Sequence, residues 1–157
     1  ELSWINWNLK TENSDLYRFT KKLMAFRLKH PAFMRPEFFL GGDLSYNSLP
    51  DITWFDETGK VPDWNKINHF IAFRLDGSKA DIYADIDDND FYLMFNSSTH
   101  DVTVTIPPSI GNKKWYRVID TSIEEPYDFL TNGEEEILHN QQRYILPARS
   151  AAVLLSK

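Results

Sequence analysis

Two runs of carboxylates stand out as candidates for chemistry: Asp85, Asp87, Asp88 and Asp90, and Glu134 to Glu136. Neighbouring carboxyl groups can divide acid and base work only where apolar surroundings raise the pKa of one of them. Both runs lie in polar stretches, beside Asn89 and Gly133, so both are expected to be solvated turns of ordinary acidity. The first run also resembles a calcium loop in its spacing. Its sixth position is Asp90 where such a loop needs glycine, and no Glu stands at the twelfth, so no metal site is expected. The four histidines, His30, His69, His100 and His139, have neither partners one helical turn away nor a HExxH context. The chain has no GxSxG elbow, phosphate loop or GxGxxG turn, and no cofactor is expected.

Aromatic residues are the compositional outlier, at 15% with five Trp, seven Tyr and eleven Phe. Such a surplus serves either a ring-rich core or a surface that stacks on flat ligands such as sugars. Trp54 and Trp115 fall in strand-like stretches and are most simply core. Trp4 and Trp7 lie in a non-periodic segment, 1–9, and are the candidate substrate-binding residues. Their rings could stack on a pyranose face, or could pin the segment to a neighbouring domain; both readings stay open. Net charge is −6, and the basic residues gather only at Lys21, Lys22, Arg27 and Lys29, which argues against a nucleic-acid partner. The longest apolar run, 151–155, is far too short for a membrane span. With no cysteine the chain can form no disulfide, which fits a reducing cytoplasm. It begins without Met in a Trp-dense stretch, as an internal segment of a longer polypeptide would.

The elements that must position these residues change character near Gly41-Gly42. Upstream, Leu16, Phe19, Leu23 and Phe26 recur at i, i+3, i+7 and i+10, one apolar stripe on a helix over 14–29. Asn13, Ser14 and Asp15 offer N-caps, basic residues load the later turns, and Pro31 forces the stop. Such a stripe needs a partner. Downstream, 52–55, 69–75, 91–96, 102–106, 115–120, 143–146 and 151–155 read as strands, separated by turns such as Asp76-Gly77 and Pro107-Pro108. The expected core is Phe70, Ile71, Phe73, Leu93, Phe95, Val104, Ile106, Val118, Val153 and Leu155. The fold class is mainly β, an antiparallel sandwich behind one helix.

Several runs carry a family resemblance. ELSWINWNL at 1–9 and DLYRFTKKLMAFRLKHPAF at 15–33 are similar to the stretch of isoamylase-type glycogen and starch debranching enzymes that follows the eighth barrel strand and forms the last barrel helix. DITWFDETGKVPDW at 51–64 looks like the insertion leading into that family's C-terminal sandwich, and WYRVIDT at 115–121 and RSAAVLL at 149–155 resemble its closing strands. The resemblance implies two parts: 1–42, the last loop and helical remnant of a catalytic (β/α)8 barrel, and 43–157, a C-terminal β-sandwich. It implies a parent hydrolase acting on α-1,6 branches of glycogen, amylopectin or limit dextrin, with the nucleophile, acid/base and stabilising carboxylates all upstream of Glu1. The chain's own role is then to cap the upstream barrel, its principal partner. The rival reading is an autonomous carbohydrate-binding module, which would keep two or more aromatics exposed on a flat face or at loop tips.

Overall fold

A helix of four turns carries the N-terminal third. The structure is a computed structural model describing residues 4–66, 68–131 and 133–157. A single helical turn, α1 (Leu9–Glu12), leads into α2 (Ser14–Lys29), whose bounds agree with those read from the apolar period. Asn13 sits at the N-cap, but its side chain donates to the Leu9 carbonyl at 3.0 Å and satisfies no α2 amide. His30 is extended, as the residue before Pro31 must be, and Pro31–Phe33 form one 3-10 turn.

Among the described residues, eight strands form two antiparallel sheets. A six-stranded sheet runs in the order β1 (Ile52–Phe55), β2 (Phe70–Leu75), β3 (Asp90–Asn96), β8 (Ser150–Ser156), β5 (Trp115–Asp120), β6 (Glu136–Ile137). The second sheet is the pair β4 (Val102–Thr105) and β7 (Arg143–Leu146). The sandwich is therefore lopsided. A short helix, α3 (Lys79–Ile82), lies between β2 and β3. The sequence reading anticipated neither α3 nor β6, since one helical turn and a two-residue strand are shorter than any readable period.

Register sorts the large sheet into two faces. Phe70, Ala72, Tyr92, Met94, Ala152, Leu154 and Trp115 point towards β4–β7 and close over Val104, Ile106 and Leu146. Trp115 is fully buried and its indole N–H donates to Pro107 O at 2.8 Å. Phe91, Leu155, Val118 and Ile119 belong to the other core, which packs with Phe19, Phe26 and Phe33 of the helical segment. Of the expected core, Phe70, Val104, Ile106, Val118 and Leu155 are buried; Ile71, Phe73, Leu93 and Val153 are partly so. Phe95 is 40% exposed and Trp54 36%, because α2 crosses only one end of that face.

Buried carboxylates fasten the chain leading from the helix to the sheet. Asp51 accepts from Arg35 and from the backbone amides of Leu40 and Gly41, at 3.0 and 2.7 Å. Asp81 accepts from Leu44 N at 2.8 Å and from the Ser45 hydroxyl, while Asp76 accepts from Asn47 at 2.7 Å. These acceptors satisfy amides that an irregular segment cannot pair within itself. Gly77 closes the β2–α3 turn where a Cβ would collide with the carbonyls of Asp88 and Asn89.

Candidate functional site

The two acidic runs do not form a catalytic pair. Contrary to the expected solvated turn, Asp90 is buried: it accepts from Arg74 at 3.2 Å, Gly77 N at 3.2 Å and the Ser156 hydroxyl at 3.1 Å. Asp88 accepts from Ala32 N at 3.2 Å and its carboxylate lies 2.8 Å from His30 Nδ1. Asp87 receives Lys79 N at 2.9 Å, and Asp85 is exposed. In the second run Glu134 pairs with Thr131, Glu135 with Lys157 at 2.7 Å and Glu136 with Arg117 at 2.5 Å. Burial alone would raise the Glu135 pKa, but the Lys157 ammonium and the Gly133 amide outweigh it and hold the carboxyl below its ordinary value. Burial raises Asp76, yet Asp76 is 1% exposed, out of reach of a substrate, and its oxygens serve Ser78 and Asn47. Apart from the exposed Asp85, these carboxylates are structural ties.

Trp4 and Trp7, the candidate substrate-binding residues, are 80% and 73% exposed. They precede α1 on a turn where Leu9 N and Lys10 N donate to Asn6 O and Trp7 O, both at 3.2 Å. Neither ring meets another ring among the described residues.

The helix-bearing face of the large sheet concentrates what the fold leaves unfinished. Phe19 meets Phe129 edge-on at 5.4 Å, and Phe26 lies 5.8 Å from both Phe91 and Phe129. Polar contacts lock the same interface. Arg18 pairs with Asp128 and, at 2.7 Å, with Glu125; Lys22 Nζ donates to Phe129 O at 2.8 Å. The hydrogen bond to Asp128 raises the Arg18 pKa against the desolvation that opposes it. Of the four stripe residues, Phe19 and Phe26 are thus seated, whereas Leu16 and Leu23 remain exposed.

A second stripe escaped the sequence reading. Tyr17, Met24 and Leu28 recur at i, i+7 and i+11 and are exposed, Met24 by 63% and Leu28 by 69%. At 100° per residue they lie roughly 160° around the helix from Phe19 and Phe26. A helix that is apolar on opposite sides belongs between two layers, and here only one is present. Beside it runs an open apolar groove of about 370 Å³, walled by Leu23, Met24, Phe33, Leu93, Ile119 and Val153. Farther along the face Trp54 meets Phe73 at 5.0 Å and Trp64 at 5.8 Å, while Phe73 stacks near Phe95 at 6.1 Å. Trp54 is therefore not the core residue expected: its strand alternation is sound, but its side of the sheet is uncovered.

Comparison with known proteins gives consistent matches. The family described as "Isoamylase 1-3, C-terminal" matches residues 53–154. An isoamylase of Flavobacterium sp is 30% identical over 162 residues, covering 99% of this chain and 20% of that protein. An isoamylase of Pseudomonas amyloderamosa is 33% identical over 123 residues, covering 76% and 14%. A Mycobacterium tuberculosis protein named "Glycogen operon protein GlgX homolog" is 31% identical over 131 residues, covering 78% and 18%. The chain thus spans a fifth or less of these relatives' length. Among solved structures, type I pullulanase from Bacillus subtilis complexed with maltose shares the fold, with a TM-score of 0.60 at 14% identity over 96% of this chain and 17% of that one.

Proposed function

The chain belongs to the isoamylase C-terminal family, and from that premise we propose that it is the closing part of an α-1,6-glucan debranching hydrolase, in which it caps the catalytic (β/α)8 barrel. Residues 1–42 would supply the barrel's last loop and helix, and 43–157 the C-terminal sandwich. The observation that carries this reading is the two-sided helix. α2 is fastened to the sheet through Phe19, Phe26, Arg18 and Lys22, and it leaves Tyr17, Met24 and Leu28 exposed, with Met24 at the lip of the groove. A barrel placed against that second stripe would make α2 the shared wall of two cores. The apolar groove beside it has the same composition and would continue the contact.

On this reading the reaction is carried by the barrel. Retaining hydrolysis needs one carboxylate to attack and a second to protonate the leaving oxygen, about 5–5.5 Å apart in an open cleft. In this chain's two acidic runs, Asp87, Asp88, Asp90 and Glu134 to Glu136 are instead committed to ties such as Asp90–Arg74 and Asp88–His30, and Asp85 stands exposed. Trp4 and Trp7 would follow the eighth barrel strand and face branched α-glucan: glycogen, amylopectin or limit dextrin. The cysteine-free composition suits a cytoplasmic enzyme of storage-glucan breakdown. Among the described residues no helix is long and apolar enough to cross a membrane.

The test is to express the barrel with and without residues 43–157 and to follow its solubility and thermal unfolding. Loss of a cooperative transition on removing the sandwich is expected. An equally stable, soluble barrel would overturn the capping role.

A further inference from the structure

The Phe70 end of the large sheet carries exposed aromatic rings beyond the contact with α2. Two open clefts, of about 290 and 360 Å³, adjoin there and share Asn68, His69 and Phe70 as lining. The first is walled by Trp64 and Phe95, which are 63% and 40% exposed; the second continues past Asn96 to Thr103. Trp64 meets Trp54 edge-to-face, at 80°, and remains largely exposed. We propose that this trough is a secondary binding site for a linear α-glucan segment, and the ligand class rests on the debranching reading above.

The chemistry favours a neutral polyhydroxylated chain. Exposed ring faces accept the C–H side of a pyranose, while a few fixed polar groups orient its hydroxyls. The Asn68 side-chain carbonyl oxygen accepts from Phe70 N at 3.0 Å, which fixes this polar side chain where it lines both clefts. Ser97 holds the His69 backbone through two bonds to its carbonyl, at 2.7 and 3.0 Å, where His69 lines both clefts. Among the described lining residues Lys66 is the single lysine or arginine, and it is paired with Asp63 at 3.2 Å, so they offer no cluster of cations to draw a phosphate. β2 is bonded to β3 along its whole length and to β1 over Ala72–Leu75, so only Phe70 and Ile71 lack a β1 partner, a stretch too short to template a peptide strand.

Position separates the trough from the helix-covered end. Phe91, which touches Phe26 and Phe33, and Phe95 lie four residues apart on β3 and on the same face. At 3.3–3.4 Å per residue that is about 13 Å along the strand. A glucan held there would keep a branched particle near the enzyme without entering the active cleft.

Maltoheptaose titrated into the 157-residue chain, followed by tryptophan fluorescence and amide chemical shifts, tests this. Saturable binding with shifts centred on Trp64, His69 and Phe95 is expected, with cellohexaose giving none. Trp64→Ala should weaken binding at least about tenfold, and Asn68→Ala, at an exposed position that leaves the rings in place, about threefold. Absence of saturable binding, shifts confined to Trp4 and Trp7, equal binding of cellohexaose, or loss of the site once the barrel is attached would each overturn the proposal. Reducing-end release by the barrel-bearing protein is scored separately, so a failed secondary site and a failed debranching reading give different results.

Discussion

Substituting two neighbours on α2, Phe26 and Met24, separates a seated face from a waiting one. Phe26 is partly buried and meets Phe91, Phe129, Phe33 and His30 at ring-centroid distances of 4.5–5.8 Å. Phe→Ala at a fully enclosed site costs about 3–5 kcal/mol, so a partly covered ring should cost about 2–3 kcal/mol. For a domain of this size that lowers Tm by roughly 4–12 °C. Met24 is 63% exposed, and Met24→Ala in the 157-residue chain should stay within about 0.5 kcal/mol. With the barrel present, the Met24 side chain becomes enclosed and the same substitution should cost about 2–4 kcal/mol. Urea and thermal unfolding of both variants, in both contexts, supplies the four numbers. Equal cost for the two variants in this chain would mean that the second stripe is already covered. A neutral Met24→Ala in the barrel-bearing protein would mean that it faces water throughout, and the two-layer argument would fail.

Three further outcomes follow from particular residues. Burial tends to raise the Asp51 pKa, but the Leu40 and Gly41 amides and Arg35 outweigh it and hold the carboxyl below its ordinary value of 3.8. Its stabilising contribution is therefore fully present above that value and is lost as pH falls through the lower folded pKa; Asp51→Asn should flatten the acid limb of a Tm-against-pH curve, and an unchanged limb would refute the tie. Gly77→Ala should cost about 1–3 kcal/mol in urea unfolding, because the Asn89 carbonyl is backbone and must shift to admit a methyl; a neutral variant would show that the turn relaxes freely. Trp4→Ala in the barrel-bearing protein should slow turnover of a branched oligosaccharide while leaving Tm in place, and equal losses in both would make the 1–9 segment purely structural.

Local pattern made much of the fold legible. The period of Leu16, Phe19, Leu23 and Phe26 and the stop at Pro31 located α2, and the apolar runs located all strands but β6. The acidic turn was misread because its partners are distant: His30 lies 58 residues before Asp88, and Arg74 lies 16 before Asp90. No local composition reports that. Trp54 and Phe95 were placed in the core because alternation tells which residues share a face, not whether this chain covers it. The second stripe was readable, since Tyr17, Met24 and Leu28 share a helical period, but the first stripe already accounted for the helix. The cleft at Trp64 and His69 left no signal beyond the 51–64 run, since a sheet end and a loop meet there only in the fold.

Reducing-end release from amylopectin, by this chain alone and by the protein that carries it behind its barrel, addresses the central claim most directly. The barrel-bearing protein should release reducing ends and the 157-residue chain should release none over long incubation, with circular dichroism showing it folded. Activity of the chain alone that survives rigorous purification and disappears on substituting one of its own carboxylates, Asp85 or Asp87 first, would contradict the account.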